Sequence, residues 1–278
     1  MTDLVPFDPR AVGVTSPETR VSWSARDSML YALGVGAGVE DLAYTTNNTR
    51  GVEQRALPTM PVTLGIDFSV LNKAGTFDWS RLLHAEQSVE VLADLPVDGS
   101  ATCVTRLTEM WDKDKAALVT VETTGSADDG TVLWRSAATL FIKGVGGWGG
   151  DRGPATEPIV LDDNAKTISY ETHVNQALVY RLSGDYNPLH SDPSFAAKAG
   201  LDRPILHGLC TFGFAGRAVL EVAGDRSVRS VSARFASPVW PGDTLAVDLD
   251  RPDEDTVHFV VRGKGGAVVL SNGIARLG

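Results

Sequence analysis

An α+β fold built as a duplication is predicted by three features of the chain. Each half runs from a helix-forming stretch into about four strand-forming stretches. A dense glycine cluster at residues 144–157 (GVGGWGGDRGPATE) changes the composition abruptly and makes a natural junction, dividing the chain into residues 1–150 and 151–278. Turn sequences fall at matching places, Pro96-Val97-Asp98-Gly99 in the first half and Pro238-Val239-Trp240-Pro241-Gly242 in the second, each ahead of the half's second strand. The expected arrangement is two halves, each wrapping an antiparallel sheet around a helix.

The elements follow in order. After an extended start, Ser24 to Asp27 fits a capping box that opens a helix through Met29, Leu30, Tyr31 and Leu33, closing in the glycines of residues 34–38. Residues 52–72, with Leu57-Pro58-Thr59-Met60-Pro61, read as irregular or extended. Strands are expected at 88–95, 101–110, 116–124 and 131–143, separated by turn-forming residues. The second half opens with an extended piece at 166–172 and a short helical stretch at 175–182. A polar loop follows at 184–190, where Pro188 fixes its own φ and pushes Asn187 out of the helical region. Asp192 as N-cap, Pro193 at the first helical position and Gly200 as a left-handed terminator frame a short helix at 193–199. A longer helix at 208–222 carries Gly213, Ala215 and Gly216, small residues expected to let it pack closely on a sheet. Strands at 227–235, 244–250, 256–262 and 267–275 complete the half.

Composition narrows the function classes. A length of 278 residues allows one large or two ordinary domains and a sizeable core. The net charge of −10, with no basic run, argues against nucleic acid and anionic membrane as partners. No stretch approaches the ~18 apolar residues of a membrane span, and the start MTDLVPFDPR has no signal-peptide pattern, so a cytoplasmic protein is expected. Cys103 and Cys210, one in each half, read as reduced buried thiols. The glycine cluster superficially resembles a phosphate-binding loop, but neither GxxxxGK[ST] nor a strand-GxGxxG-helix context is present, so it reads as a connector.

Chemistry concentrates at residues 184–190. Asp185 and His190 place a carboxylate and an imidazole on one short loop, a pairing that can hold a water while one group donates or removes a proton. Asn187 can orient water or substrate by hydrogen bonding. By itself a D-x-N-x-x-H string is more often a loop-stabilising network. Downstream, the Gly208 N–H opens a helix and would face negative charge developing on a carbonyl oxygen, while the alternative is that Gly208 merely permits helix packing. His207 reads as a structural hydrogen-bonding residue.

Together, YRLSGDYNPLHSDPSFAAKAG (180–200) and PILHGLCTFGFAGR (204–217) closely resemble the signature of the MaoC-like hydratase 2 family, the (R)-specific 2-enoyl-CoA hydratases. The resemblance extends to YALGVGA (31–37), LPTMPV (57–62), LLHAEQ (82–87), the GVGGWGG junction and ARFASPVWPGDTL (233–245). It implies a double hot dog fold and reversible hydration of a trans-2-enoyl-CoA to a (3R)-hydroxyacyl-CoA in fatty-acyl metabolism such as β-oxidation. No metal and no cofactor is implied, CoA being part of the substrate. Asp185 and His190 become the catalytic pair, Asn187 the assisting amide and Gly208 the oxyanion donor. Contacts to substrate or CoA are implied at His84, Ala85, Lys113, Tyr186, Pro188, Leu189 and Phe235. The family commonly has glycine at the position of Ala85, and on its loop Lys113 reads equally as a solvated surface charge. The first half is implied to be non-catalytic, with room for a bulky acyl chain, and the assembly a homodimer.

Other readings are weaker on the residues. Ser183 and Ser191 lack a G-x-S-x-G elbow for a hydrolytic triad, and Asp185, His190 and His207 lack a metal-ligand spacing. A hot-dog thioesterase, a dehydratase acting on acyl-carrier-protein thioesters, and a non-catalytic acyl-CoA-binding scaffold remain as alternatives, distinguishable by CoA release, carrier preference and turnover.

Overall fold

A computed structural model describes residues 7–278; the first six residues of the extended start expected ahead of Ser24 lie outside the described residues. The first half contains β1 (Thr19–Trp23), α1 (Ala25–Gly34), α2 (Leu42–Thr45), β2 (Leu82–Val91), β3 (Gly99–Asp112), β4 (Ala116–Ser126) and β5 (Val132–Lys143). The second contains β6 (Lys166–Glu171), α3 (Gln176–Tyr180), α4 (Pro193–Lys198), α5 (Gly208–Ala223), β7 (Val228–Phe235), β8 (Thr244–Asp250), β9 (Thr256–Arg262) and β10 (Val268–Leu277). All ten strands form one sheet in the order β1-β3-β4-β5-β2-β7-β10-β9-β8-β6, every pairing antiparallel. Each half follows the same path from its first strand to its second, and the halves join where β2 pairs with β7, from Glu86 opposite Arg234 to Glu90 opposite Ser230. This is the α+β, double hot dog arrangement expected above.

Local signals explain several elements directly. The Ser24 side chain accepts from the Asp27 N–H while the Asp27 carboxylate accepts from the Ser24 N–H, a reciprocal cap worth about 1 kcal/mol. Asp192 caps α4 through the N–H groups of Ser194 and Phe195, and Gly200 has φ +79°, which an L side chain adopts only with strain.

Two expectations are corrected. Strand β2 begins at Leu82, six residues before the predicted start at 88, because a bulge at Ala85, between the pairs His84–Leu140 and Glu86–Thr139, interrupts the period-two pattern. Gly213 and Gly216 of α5 face other segments rather than the sheet: a Cβ on Gly213 would lie 2.3 Å from Val35, and one on Gly216 would lie 2.5 Å from Thr59, while Ala215 is buried in the core.

The halves also differ in what fills their sheets. The second half curls around α5, whose Phe212, Phe214, Ala215, Ala218 and Val219 are buried with strand residues such as Val247, Phe259 and Val261. The expectation that each half wraps its sheet around a helix holds only for the second: among the described residues of the first half no long helix occupies that place. The short 3-10 helices Met60–Thr63 and Phe68–Lys73 cover the sheet, and Val70 and Leu71 pack with Leu107, Val119, Leu140 and Ile142. Pro58, Pro61, Gly65 and Gly75 punctuate this stretch too often for a continuous helix. Helix α1 instead docks on the second half. Its terminal carbonyls, which a helix cannot satisfy internally, accept from Gln176 Nε2 at Gly34 (2.7 Å), Cys210 Sγ at Gly34 (3.2 Å) and Arg217 at Val35 (3.3 Å). An Arg217–Asp41 ion pair at 2.7 Å closes the contact.

The glycine cluster has an internal partner. The Asp112 carboxylate accepts from the N–H groups of Gly147 (2.8 Å), Gly149 (2.8 Å), Gly150 (3.3 Å) and Asp114 (2.8 Å), which hold it ionised below the usual carboxylate range. The anion-binding geometry of this turn is thus filled by the chain's own carboxylate.

Candidate active site

Gly184, at φ +122°, turns the chain out of the one-turn helix Arg181–Ser183 and into the polar loop. The loop is held by its own side chains. Asp185 Oδ1 accepts from the Asn187 N–H (3.1 Å), and Asn187 Oδ1 accepts from the Leu189 N–H (3.0 Å), capping a one-turn helix Pro188–His190 with Pro188 at its first position. The segment before α5 lies alongside: the Ile205 N–H donates to the Leu189 carbonyl (3.4 Å), and the Leu206 N–H donates to the Val239 carbonyl (2.7 Å).

That alignment sets the tautomer of His190. Its Nδ1–H donates to the Ile205 carbonyl at 2.9 Å, which leaves Nε2 as a bare acceptor in the neutral ring. Burial lowers the His190 pKa below its ordinary value, opposed by the Ile205 hydrogen bond and the Asp185 charge. His207 lies directly on it, the two rings stacked at 3.7 Å with an interplanar angle of 27°. The His207 Nε2–H donates to the Asp185 backbone carbonyl (3.2 Å), and burial followed by the neighbouring His190 pushes its pKa down to about 4.

Gly208, at the head of α5, is exposed, and its N–H is among those a helix leaves without an internal partner, since Cys210 and Thr211 already close on the His207 carbonyl. A Cβ here would approach the Phe235 ring to 2.8 Å. Phe235 ends β7, and its ring centroid lies 4.8 Å from that of His84 on β2. The cluster therefore sits where the two halves join. It can hold a water between a carboxylate and an imidazole, and offer a helix-start N–H to an oxyanion.

Residues 158–271 match the model described as MaoC like domain, and residues 21–144 match the MFE-2 hydratase 2 N-terminal domain. The chain is 42% identical to 3-hydroxyacyl-thioester dehydratase Y of Mycobacterium tuberculosis over 281 aligned positions, 96% of this chain and 97% of that protein. It is 40% identical to enoyl-CoA hydratase ChsH3 of the same organism, covering 94% and 95% of the two chains. Among solved structures, a MaoC-like dehydratase from Phytophthora capsici superposes with a TM-score of 0.86 at 29% identity, covering 98% of each chain. The chain belongs to the MaoC-like hydratase 2 family.

Of the ligand contacts that membership in the MaoC-like family implies, the structure gathers some and leaves others apart. His84 and Phe235 join the cluster, and burial lowers the His84 pKa to about 4 while Asp185 opposes the shift. Ala85 is the bulge residue beside them. Pro188 and Leu189 shape the polar loop as part of its one-turn helix. Asn187 spends its side-chain oxygen as a cap, so only its amide NH₂ is open to a ligand. Tyr186 is 57% exposed and lies against the Arg181 guanidinium, 4.7 Å from its ring centroid. Lys113 makes none of these contacts. It stands on the turn between β3 and β4, and its ammonium donates to the Arg152 carbonyl.

Asp185, His190 and His207 bring one ligand atom each within 4.8 Å of one another, closer than their sequence spacing suggests. Because the two imidazoles are stacked, their in-plane lone pairs run alongside each other rather than converging as a tetrahedral metal requires. Sequence reasoning grouped His207 with Asp185 and His190 only as a weak metal reading and missed its stack on His190. The available signal was its position directly before the helix-opening Gly208.

Proposed function

We propose that this chain catalyses the reversible addition of water to a trans-2-enoyl-CoA, giving a (3R)-hydroxyacyl-CoA. Family membership supports the reaction class, and the single observation that carries the mechanism is the Nδ1–H bond from His190 to Ile205, which leaves Nε2 bare in a cluster shared with the Asp185 carboxylate. Asp185 and His190 hold the water. As its oxygen attacks C3, His190 Nε2 takes the water proton, and the π electrons move onto the thioester oxygen as an enolate. The Gly208 N–H holds that oxyanion. The enolate then collapses and C2 takes the proton back from the imidazolium, whose charge Asp185 balances, so one water is added and the enzyme is restored.

The second half carries the chemistry, and the first contributes the acyl and CoA surface through His84, Ala85 and Lys113, with Tyr186, Pro188, Leu189 and Phe235 facing the ligand from the second. No redox or metal cofactor is required, and the assembly is a homodimer. Among the described residues no helix is long and apolar enough to cross a membrane.

The test follows loss of enoyl-thioester absorbance with short, long and branched trans-2-enoyl-CoA substrates, and resolves the product on a chiral column. Hydration giving the (3R) product is expected. No hydration, or an (S) product, sinks the reading. Faster turnover of acyl-carrier-protein thioesters would replace the carrier, and release of free CoA would replace the reaction with hydrolysis.

A further inference from the structure

We propose that His207 is a positioning residue that joins the acid, the base and the oxyanion donor into one rigid unit. It meets all three. Its ring stacks on His190 at 3.7 Å, its Nε2–H donates to the Asp185 carbonyl at 3.2 Å, and its own carbonyl accepts the N–H groups of Cys210 and Thr211 that start α5 behind Gly208. Tyr180 also packs against it, its ring centroid 4.9 Å away. His207 is 1% exposed, so these contacts leave it no alternative placement.

The tautomer follows from the partners. A carbonyl can only accept, so Nε2 carries the proton and Nδ1 is bare, shut away from solvent and without a hydrogen-bond partner. A second proton there would bury a charge beside His190 and Arg181, with only Asp185 to oppose it, so the ring stays neutral while His190 cycles. When His190 takes the water proton it becomes an imidazolium lying on a neutral aromatic ring. That cation–π contact exists only in the charged state, so it stabilises the protonated intermediate over the resting enzyme. The hydrogen bond to Asp185 meanwhile fixes the backbone from which the carboxylate projects.

The inference rests on Asp185 and His190 being the acid-base pair, and its test separates the two ideas. In the first arm, His207→Ala is expected to lower kcat about 10- to 100-fold, the scale of a displaced catalytic group, with KM within about 3-fold. His207→Phe, which restores a ring, and His207→Gln, which restores a donor, should each recover part of the loss. A folded His207→Ala variant with kcat within about 3-fold of wild type overturns the proposal. The second arm needs neither substrate nor a variant that folds: nitrogen NMR of the wild-type histidines, of which there are five. Neutral His207 protonated on Nε2 down to pH 5, beside His190 protonated on Nδ1, is the expected result. A His207 that titrates near the ordinary value of about 6.5, or carries its proton on Nδ1, overturns the proposal whatever the reaction is.

Discussion

The strands β1-β3-β4-β5-β2 and β6-β8-β9-β10-β7 trace the same path, yet the sheets they build are filled differently. The second half holds a sixteen-residue helix whose first residue, Gly208, lies against Phe235 beside the candidate site. The first half covers its sheet with two short turns and lends its one long helix, α1, to the partner half. One sheet path thus serves two tasks. A long helix offers an N-terminus beside the polar loop at 184–190, whereas short turns leave the first sheet without one. The chemistry is therefore expected to fail on second-half changes and to survive first-half ones.

The largest break in this comparison comes from the catalytic loop. Asp185→Asn should lower kcat about 10²- to 10⁴-fold, the range for a positioned acid or base, with an unchanged melting temperature. A rate within 10-fold of wild type would remove Asp185 from the mechanism. Next in size is Gly208→Ala. Its methyl group would meet the Phe235 ring at 2.8 Å and shift the helix-start N–H, with an expected loss of about 10²- to 10³-fold in kcat. Replacing Phe235 by Leu in the same protein should return part of it, and a Gly208→Ala enzyme of full activity would contradict the oxyanion role.

Leu71 tests the other half. It is fully buried under the first sheet, so Leu71→Ala should cost about 2–5 kcal/mol in denaturant unfolding, while kcat of the folded enzyme stays within about 2-fold. A large kcat loss would mean the halves do not divide structure from chemistry. The smallest effect concerns pH. His84 and His207 are held neutral, each with its pKa lowered to about 4, mainly by burial. Unfolded histidines take up protons near pH 6.5, so this stabilisation is complete above that value and is lost as pH falls toward 4. The melting temperature should decline between pH 7 and pH 5, and a flat profile there would contradict the burial of these rings.

Much of the fold was legible because its signals are local. Ser24 with Asp27, Asp192 with Pro193, and the turns at Pro96 and Pro241 act within a few residues. The candidate loop was legible for the same reason, since Asp185, Asn187 and His190 organise each other through neighbouring N–H groups. What escaped depends on distant partners. The glycine cluster acquires meaning only from Asp112, some 35 residues earlier. The Ala85 bulge is set by pairing with β5, and the glycines of α5 by Val35 and Thr59. His207 escaped because a stack on His190 is a tertiary contact with no sequence spacing of its own.

The division between halves is tested most directly by steady-state kinetics of His190→Ala beside Lys113→Ala on one trans-2-enoyl-CoA. His190→Ala should lose at least about 100-fold in kcat with little change in KM, while Lys113→Ala should raise KM several-fold and leave kcat unchanged. An undiminished kcat in His190→Ala, or a loss of kcat rather than of binding in Lys113→Ala, would contradict a catalytic second half served by a binding first half.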